Sequence, residues 1–146
     1  MKSHLTKFLK DLDKEVTAAK KSLDDRIKGT GEAIQKSLMG PRSSQGTPVQ
    51  TGWLKSNWIV SLDEEYLDVA GSKENIDKSI QNSAWGSFLN ETELYLRDNL
   101  YFNNNVYYGP WVDQGTTDGR IEPQHFRHAA VQSGKEYLKA NRKNKR

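Results

Sequence analysis

The chain has no cysteine, four prolines and no long apolar run among its 146 residues. Without cysteine it cannot form disulfides, thiolate zinc sites or cysteine nucleophiles. No apolar run approaches the roughly 18 residues that a membrane-spanning helix needs, so we expect no membrane partner. Acidic residues interrupt the N-terminal region where a secretory signal would need an apolar stretch. These absences favour a protein that assembles in a cytosol.

The composition is that of a globular domain, with 34% apolar and 28% charged residues. We predict a single domain over residues 1–146, comprising an N-terminal helical segment (1–39), an α+β core (47–134) and a basic C-terminal tail (135–146). The net charge of +3 conceals an asymmetry, because the tail carries six basic residues and one acid. The rest of the chain is therefore nearly neutral.

The N-terminal segment has the apolar spacing of an amphipathic helix, with steps of three and four residues. A break is predicted at 29–31, because each glycine in Gly29-Thr30-Gly31 costs about 1 kcal/mol in a helix interior. The stripe is expected to pack on the domain's own sheet or on a neighbouring subunit. Its residues are Leu5, Phe8, Leu9, Leu12, Val16, Ala19, Leu23 and Ile27.

The middle of the chain predicts short strands and turns. After a loop rich in turn-forming residues, Thr51 can cap a helical turn that contains Trp53 and Leu54. Alternating residues then predict a hairpin, with strands at 58–62 and 66–70 joined by the polar turn 63–65.

The second half of the chain continues this mixed pattern. Helical spacing predicts a helix within 73–90, with Ser72 as its cap. Alternation predicts a strand over 93–103, with a lapse at Asp98. A last helix is expected to begin at Pro123, and its apolar side includes Phe126 and Ala130.

No residue pattern points to catalysis. His125 and His128 have i,i+3 spacing, but no cysteine accompanies them and ordinary surface or packing roles explain them better. The phosphate-binding, dinucleotide-binding, zinc-protease and serine-hydrolase motifs are absent from the sequence. We therefore expect a protein that is not an enzyme, with no catalytic residue, cofactor or metal site.

Two residue groups are candidates for contact with partners. Tryptophan is enriched at protein interfaces, and basic clusters bind polyanions without reading sequence. The interface candidates are Trp53, Trp58, Trp85 and Trp111, with packing in the protein's own core as the alternative. The candidates for contact with DNA or an acidic partner are Arg142, Lys143, Lys145 and Arg146, with a solvated tail as the alternative.

Two further segments carry a recognisable pattern. The first contains Thr47, Pro48, Thr51, Gly52, Leu54 and Ser56, and the second contains Asn104, Asn105, Tyr108, Gly109, Asp113, Gly115 and Thr116. Taken alone, they suggest fold-building roles, in which Thr51 and Gly52 turn the chain and Asp113 accepts N–H bonds in the turn that follows it. In these segments the chain resembles the tail-completion family of tailed bacteriophages, which comprises neck, head–tail joining and minor tail protein Z-like proteins. It departs from that pattern at Trp53, Gly109 and Asp113, where a basic residue, alanine and glutamate are usual.

The resemblance implies an α+β domain, in which a small antiparallel sheet is flanked by a long N-terminal helix and a C-terminal helix. It also implies a virion structural protein of the neck, assembled in the host bacterial cytoplasm as a ring, with a hexamer expected. The implied partners are copies of itself, the adjacent portal, adaptor or stopper proteins, the tail-tube or terminator proteins, and DNA in the lumen. The alternative function is a small nucleic-acid-binding protein that uses the basic tail without sequence specificity.

Overall fold

The computed structural model describes residues 2–142. Its first element is the helix α1 (Lys2–Met39), which runs without interruption through Gly29 and Gly31. The predicted break is therefore wrong. Both glycines are buried against other elements, and an added Cβ would meet the Tyr137 ring at Gly29 and the Phe88 ring at Gly31. Their lack of a side chain lets neighbouring elements approach the helix, and that packing outweighs their low helix propensity.

The segment after α1 matches its prediction closely. A 3-10 turn (Arg42–Ser44) leads to the short helix α2 (Trp53–Ser56) and the strand β1 (Ile59–Leu62). Gly52 is the residue that precedes α2, with a left-handed φ of 88°, while the Thr51 hydroxyl accepts the Trp53 N–H at 3.3 Å. The cap position therefore belongs to Gly52 rather than to the predicted Thr51.

The strand β1 pairs with a different strand from the one predicted. β1 pairs antiparallel with β2 (Leu100–Asn103), so that Ile59 lies opposite Asn103 and Leu62 opposite Leu100. Residues 66–70 form no strand, and the predicted hairpin is wrong. The predicted strand over 93–103 is correct only for its last four residues. In its first part, Leu94–Leu96 forms a 3-10 turn instead.

Asp63 joins the end of β1 to the segment that leads into β2. It adopts a left-handed φ of 64°, and its Oδ1 accepts the backbone N–H groups of Asp98 (2.8 Å) and Asn99 (3.4 Å). Partial burial raises the pKa of Asp63, but these N–H bonds and the Arg97 guanidinium together hold that pKa below its usual value. The carboxylate therefore fixes the turn that leads into β2 and aligns the two strands.

Three helices complete the fold. α3 (Ser79–Asn90) begins later than predicted, and the Ser72 hydroxyl accepts N–H bonds from a separate turn instead of capping the helix. α4 (Gly109–Gln114) was not predicted, although a proline in the first turn is a signal of a helix start. α5 (Phe126–Ala140) confirms the predicted last helix, but starts three residues after Pro123.

Two apolar clusters hold these elements together. The larger joins α1, α2, α4 and α5 around Leu38, Leu54, Trp58, Val106 and Phe126. The smaller joins the sheet to α3 and the 3-10 turn around Val60, Phe88 and Leu94. α5 runs antiparallel to α1, because Phe126 shares a cluster with Leu38 while Tyr137 meets Gly29. The α+β class, with a small antiparallel sheet and two flanking helices, is confirmed.

Candidate functional site

The first of the two patterned segments builds part of the core. Thr47 is fully buried, its N–H donates to the Leu38 carbonyl (3.0 Å), and its hydroxyl accepts the Trp58 Nε1–H (2.8 Å). Ser56 is also buried and donates from its hydroxyl to the Trp53 carbonyl. These hydroxyls satisfy buried polar groups, as folded proteins require. Both residues therefore have structural roles.

The second segment is joined to the first by the side chain of Asn104. Asn104 Nδ2 donates to the Leu54 carbonyl (2.6 Å), which connects the end of β2 to α2. Asn57 is buried and binds Ala70 twice, by accepting its N–H (2.7 Å) and by donating to its carbonyl (3.0 Å). The sequence did not reveal Asn57 as a site residue, because its partner lies 13 positions along the chain.

Asp113 and Gly115 hold the connection between α4 and α5. Asp113 is buried, and its carboxylate accepts the Arg127 backbone N–H (3.0 Å) and the Arg127 Nε–H (2.7 Å). We expected Asp113 to bind N–H groups in the turn that follows it, so its partner at the start of α5 is a correction. Gly115 ends α4 with a left-handed φ of 76°, where an added Cβ would lie 2.8 Å from the Ile121 carbonyl oxygen.

An aromatic patch lies beside these segments. Its rings are in edge or tilted contact, with centroids 5.3 to 6.2 Å apart, and they belong to Trp53, Tyr107, Tyr108 and Trp111. Lys73 Nζ lies 5.2 Å from the Tyr107 ring centroid and 5.1 Å from that of Tyr108. The hydrogen bond to the Tyr107 hydroxyl (2.8 Å) raises the pKa of Lys73 above its usual value. Tyr107 and Trp111 remain 61% and 52% exposed, so the patch has aromatic surface in contact with solvent.

The four tryptophans proposed as interface residues differ in exposure. Trp58 is 5% exposed and packs edge-on against Phe126, so almost none of its surface is available. Trp53 and Trp85 are half-buried, and Trp53 also donates from its indole N–H to the Ala70 carbonyl. Trp111 is the most exposed of the four.

An uncovered apolar surface lies on α1. Residues 3–21, which we call the α1 overhang, are all exposed, and the body of the protein covers α1 further along. The overhang spans about 28 Å at 1.5 Å per residue. Its predicted stripe is uncovered, with exposed fractions of 60% at Leu5, 61% at Phe8, 53% at Leu9, 46% at Leu12 and 43% at Val16.

An open groove of about 740 Å³ lies between the loop after α1 and the loop before α5. Arg42, Lys55 and Arg120 contribute positive charge to it, and Glu122 contributes one negative charge. Burial, with a smaller effect from Lys78, lowers the pKa of Lys55. The Lys55 ammonium donates to the Gly40 carbonyl (2.9 Å), so this lysine also ties α2 to the end of α1.

The remaining sequence candidates lie apart from these features. His125 and His128 are exposed, and His125 precedes α5 with a left-handed φ of 53°. Within residues 2–142, no group of histidine and acidic residues has the arrangement of a metal site. No helix in that range is long and apolar enough to span a membrane. Arg142 is exposed, whereas Lys143, Lys145 and Arg146 lie outside the described residues.

No protein-family model matches the chain, and neither a curated protein nor a solved structure matches it.

Proposed function

We propose that this chain is a structural subunit of the neck of a tailed bacteriophage, which assembles with copies of itself into a ring around the DNA channel. In this role it has no catalytic site, and its partners are its own copies and the adjacent portal, adaptor, stopper, terminator or tail-tube proteins. A hexamer is the expected ring. The two patterned segments motivate the family assignment, and the exposed surfaces motivate the assembly.

The observation that carries the proposal is the α1 overhang. An apolar stripe of this length on a single helix is unusual for a monomer, because large exposed apolar patches mark interaction sites. The same stripe is covered by the protein's own body from Ile27 onwards, where α1 packs on α5 and the sheet. A second surface must therefore cover the overhang if its apolar residues are to leave water.

A ring needs two different contact surfaces on each subunit, because its contacts are heterologous. The overhang provides one at the N-terminal end of α1. The aromatic patch lies near the other end, since Trp53 and Tyr108 pack against the cluster that contains Leu38. Exposed Tyr and Trp side chains are common at interface centres. The two surfaces are thus placed at opposite ends of a helix about 57 Å long.

The test measures oligomeric state and particle shape. We expect wild-type protein to form ring-shaped particles in negative-stain images and to show a multimeric mass by light scattering. The Leu12→Gln variant should shift the population to monomer, because it places an amide in the apolar stripe. Lys14→Gln is the matched control, since Lys14 lies on the opposite face of α1 and its substitution should leave the mass unchanged.

Two outcomes would count against the proposal. One is a chain that stays monomeric at every concentration, both alone and mixed with neighbouring neck proteins. The other is salt-sensitive DNA binding by a monomer that is lost on deletion of residues 139–146, which would support the nucleic-acid-binding alternative.

A further inference from the structure

Residues 66–70 follow β1 but pair with no strand in the described chain. One backbone edge of this segment is held by side chains. Asn105 Nδ2 donates to the carbonyls of Tyr66 (2.6 Å) and Asp68 (3.3 Å), and Asn57 binds both backbone groups of Ala70. Because these contacts fall on every second residue, the segment is an extended chain whose successive peptide groups point to opposite edges.

The opposite edge of the segment is open. The backbone N–H and C=O groups of Leu67 and Val69 make no hydrogen bond within residues 2–142. Their side chains are 73% and 38% exposed. Unpaired peptide groups beside exposed apolar side chains form the type of edge to which another chain can add a strand.

The charged residues around this edge determine which kind of strand can pair with it. Glu64, Glu65 and Asp68 are all exposed within or next to the segment. A second copy of the same segment would bring like charges together, which is unfavourable for directly opposed strands. A basic strand would meet these carboxylates, and the aliphatic stems of its Lys or Arg side chains would cover Leu67 and Val69.

We propose that residues 66–70 form a strand-addition site, which binds an extended, basic segment of a partner protein through the backbone groups of Leu67 and Val69. The asparagine contacts hold the segment extended before the partner arrives, so little ordering is required on binding. The open edge at Leu67 and Val69 uses neither the α1 overhang nor the rings of the aromatic patch, although the Trp53 indole N–H donates to Ala70 on the held edge. It can therefore be tested whether or not the protein forms a ring.

The probe is a fluorescein-labelled peptide of alternating lysine and valine, titrated with the full chain and followed by fluorescence anisotropy. We expect saturable binding that weakens with salt, and no comparable binding of a glutamate–valine peptide of equal length. N-methylation of alternate peptide nitrogens should abolish binding without any change in the protein, since it removes the donors that strand pairing requires.

The decisive protein variant is Leu67→Pro, compared with Leu67→Ala. Proline removes the outward N–H, and it breaks no hydrogen bond within the protein because that N–H has no partner in the described chain. We expect affinity for the lysine–valine peptide to fall about tenfold or more in Leu67→Pro, and about threefold or less in Leu67→Ala. The double variant Glu65→Gln, Asp68→Asn should lose most of the salt dependence while its melting temperature stays close to wild type.

Three results would overturn the proposal. The first is equal peptide binding by Leu67→Pro and Leu67→Ala, or by the N-methylated and unmodified peptides, since either would exclude backbone pairing. The second is binding of the glutamate–valine peptide as tight as that of the lysine–valine peptide. The third is self-association of the chain that Leu67→Pro abolishes, because the occupant of the edge would then be a second copy.

Discussion

The two halves of α1 have the same apolar spacing but opposite surroundings. In the second half, Gly31, Ile34 and Leu38 face α3, α5 and the sheet. In the first half, Leu5, Leu12 and their neighbours face solvent. Helical periodicity therefore identifies a helix and its apolar side, but it does not identify what covers that side. One half stabilises the monomer, and the other is available for association.

The largest expected difference between the halves is in the free energy of unfolding. Leu38→Ala should destabilise the dilute protein by about 2–5 kcal/mol, because it leaves a cavity in the larger core cluster. Leu12→Ala should change the unfolding free energy by less than about 0.5 kcal/mol, since Leu12 is exposed in the monomer. Urea denaturation followed by circular dichroism measures both variants. Equal losses in the two variants would mean that the overhang packs within its own chain.

The next difference concerns glycines within helices. Gly31→Ala should destabilise the protein by about 1–3 kcal/mol, because the new Cβ would lie 2.7 Å from the ring of buried Phe88. Gly86→Ala in α3 is the matched control, where the new methyl group meets no atom within 4 Å. There the better helix propensity of alanine should add about 0.5–1 kcal/mol. Thermal denaturation of both variants tests the opposite signs, and a stabilising Gly31→Ala would show that α1 is not in close contact with α3.

The smallest expected effect lies at the border between the halves. Asp24 accepts the backbone N–H groups of Glu93 (2.9 Å) and Tyr95 (3.1 Å), which tie α1 to the 3-10 turn. Asp24→Ala should therefore cost about 1 kcal/mol of unfolding free energy. Its neighbour Asp25 pairs with Lys21 on the exposed face, and Asp25→Ala should cost less than about 0.5 kcal/mol. If the two urea midpoints coincide, Asp24 does not anchor the helix.

Local patterns were sufficient to predict most of α1, α2, β1 and α5, because the apolar periodicity of each element is contained in its own residues. The hairpin at 58–70 was predicted wrongly, because alternation defines a strand but not its partner. The partner is β2, and the Asp63 carboxylate joins the end of β1 to N–H groups more than 30 residues away, just before β2. The predicted break at 29–31 was wrong for a similar reason. The two glycines allow close contact with aromatic rings that are distant in the sequence, and they do not interrupt the helix.

The candidate site was predictable in part. The patterned segments contain buried residues with structural hydrogen bonds, such as Thr47 and Asp113, and the sequence had suggested such a bond for Asp113. Their partners were not predictable, because only the folded chain brings Trp58 to Thr47 and Arg127 to Asp113. The sequence also did not predict that the overhang is uncovered. An apolar stripe of this kind could equally have packed on the protein's own sheet.

The exposure of the α1 overhang has a consequence for the helix–coil equilibrium of the free subunit. A solitary helix of this length is marginal in water, because tertiary packing supplies most helical stability in proteins. Residues 3–21 are exposed in the monomer, where the Lys20 ammonium over the Tyr95 ring makes a contact with the body near their end. Their helicity should therefore rise if subunits associate as proposed. Far-ultraviolet circular dichroism measured across a dilution series would then report assembly directly. Ordering each overhang would cost conformational entropy. This cost would weaken association and make the association constant depend steeply on temperature.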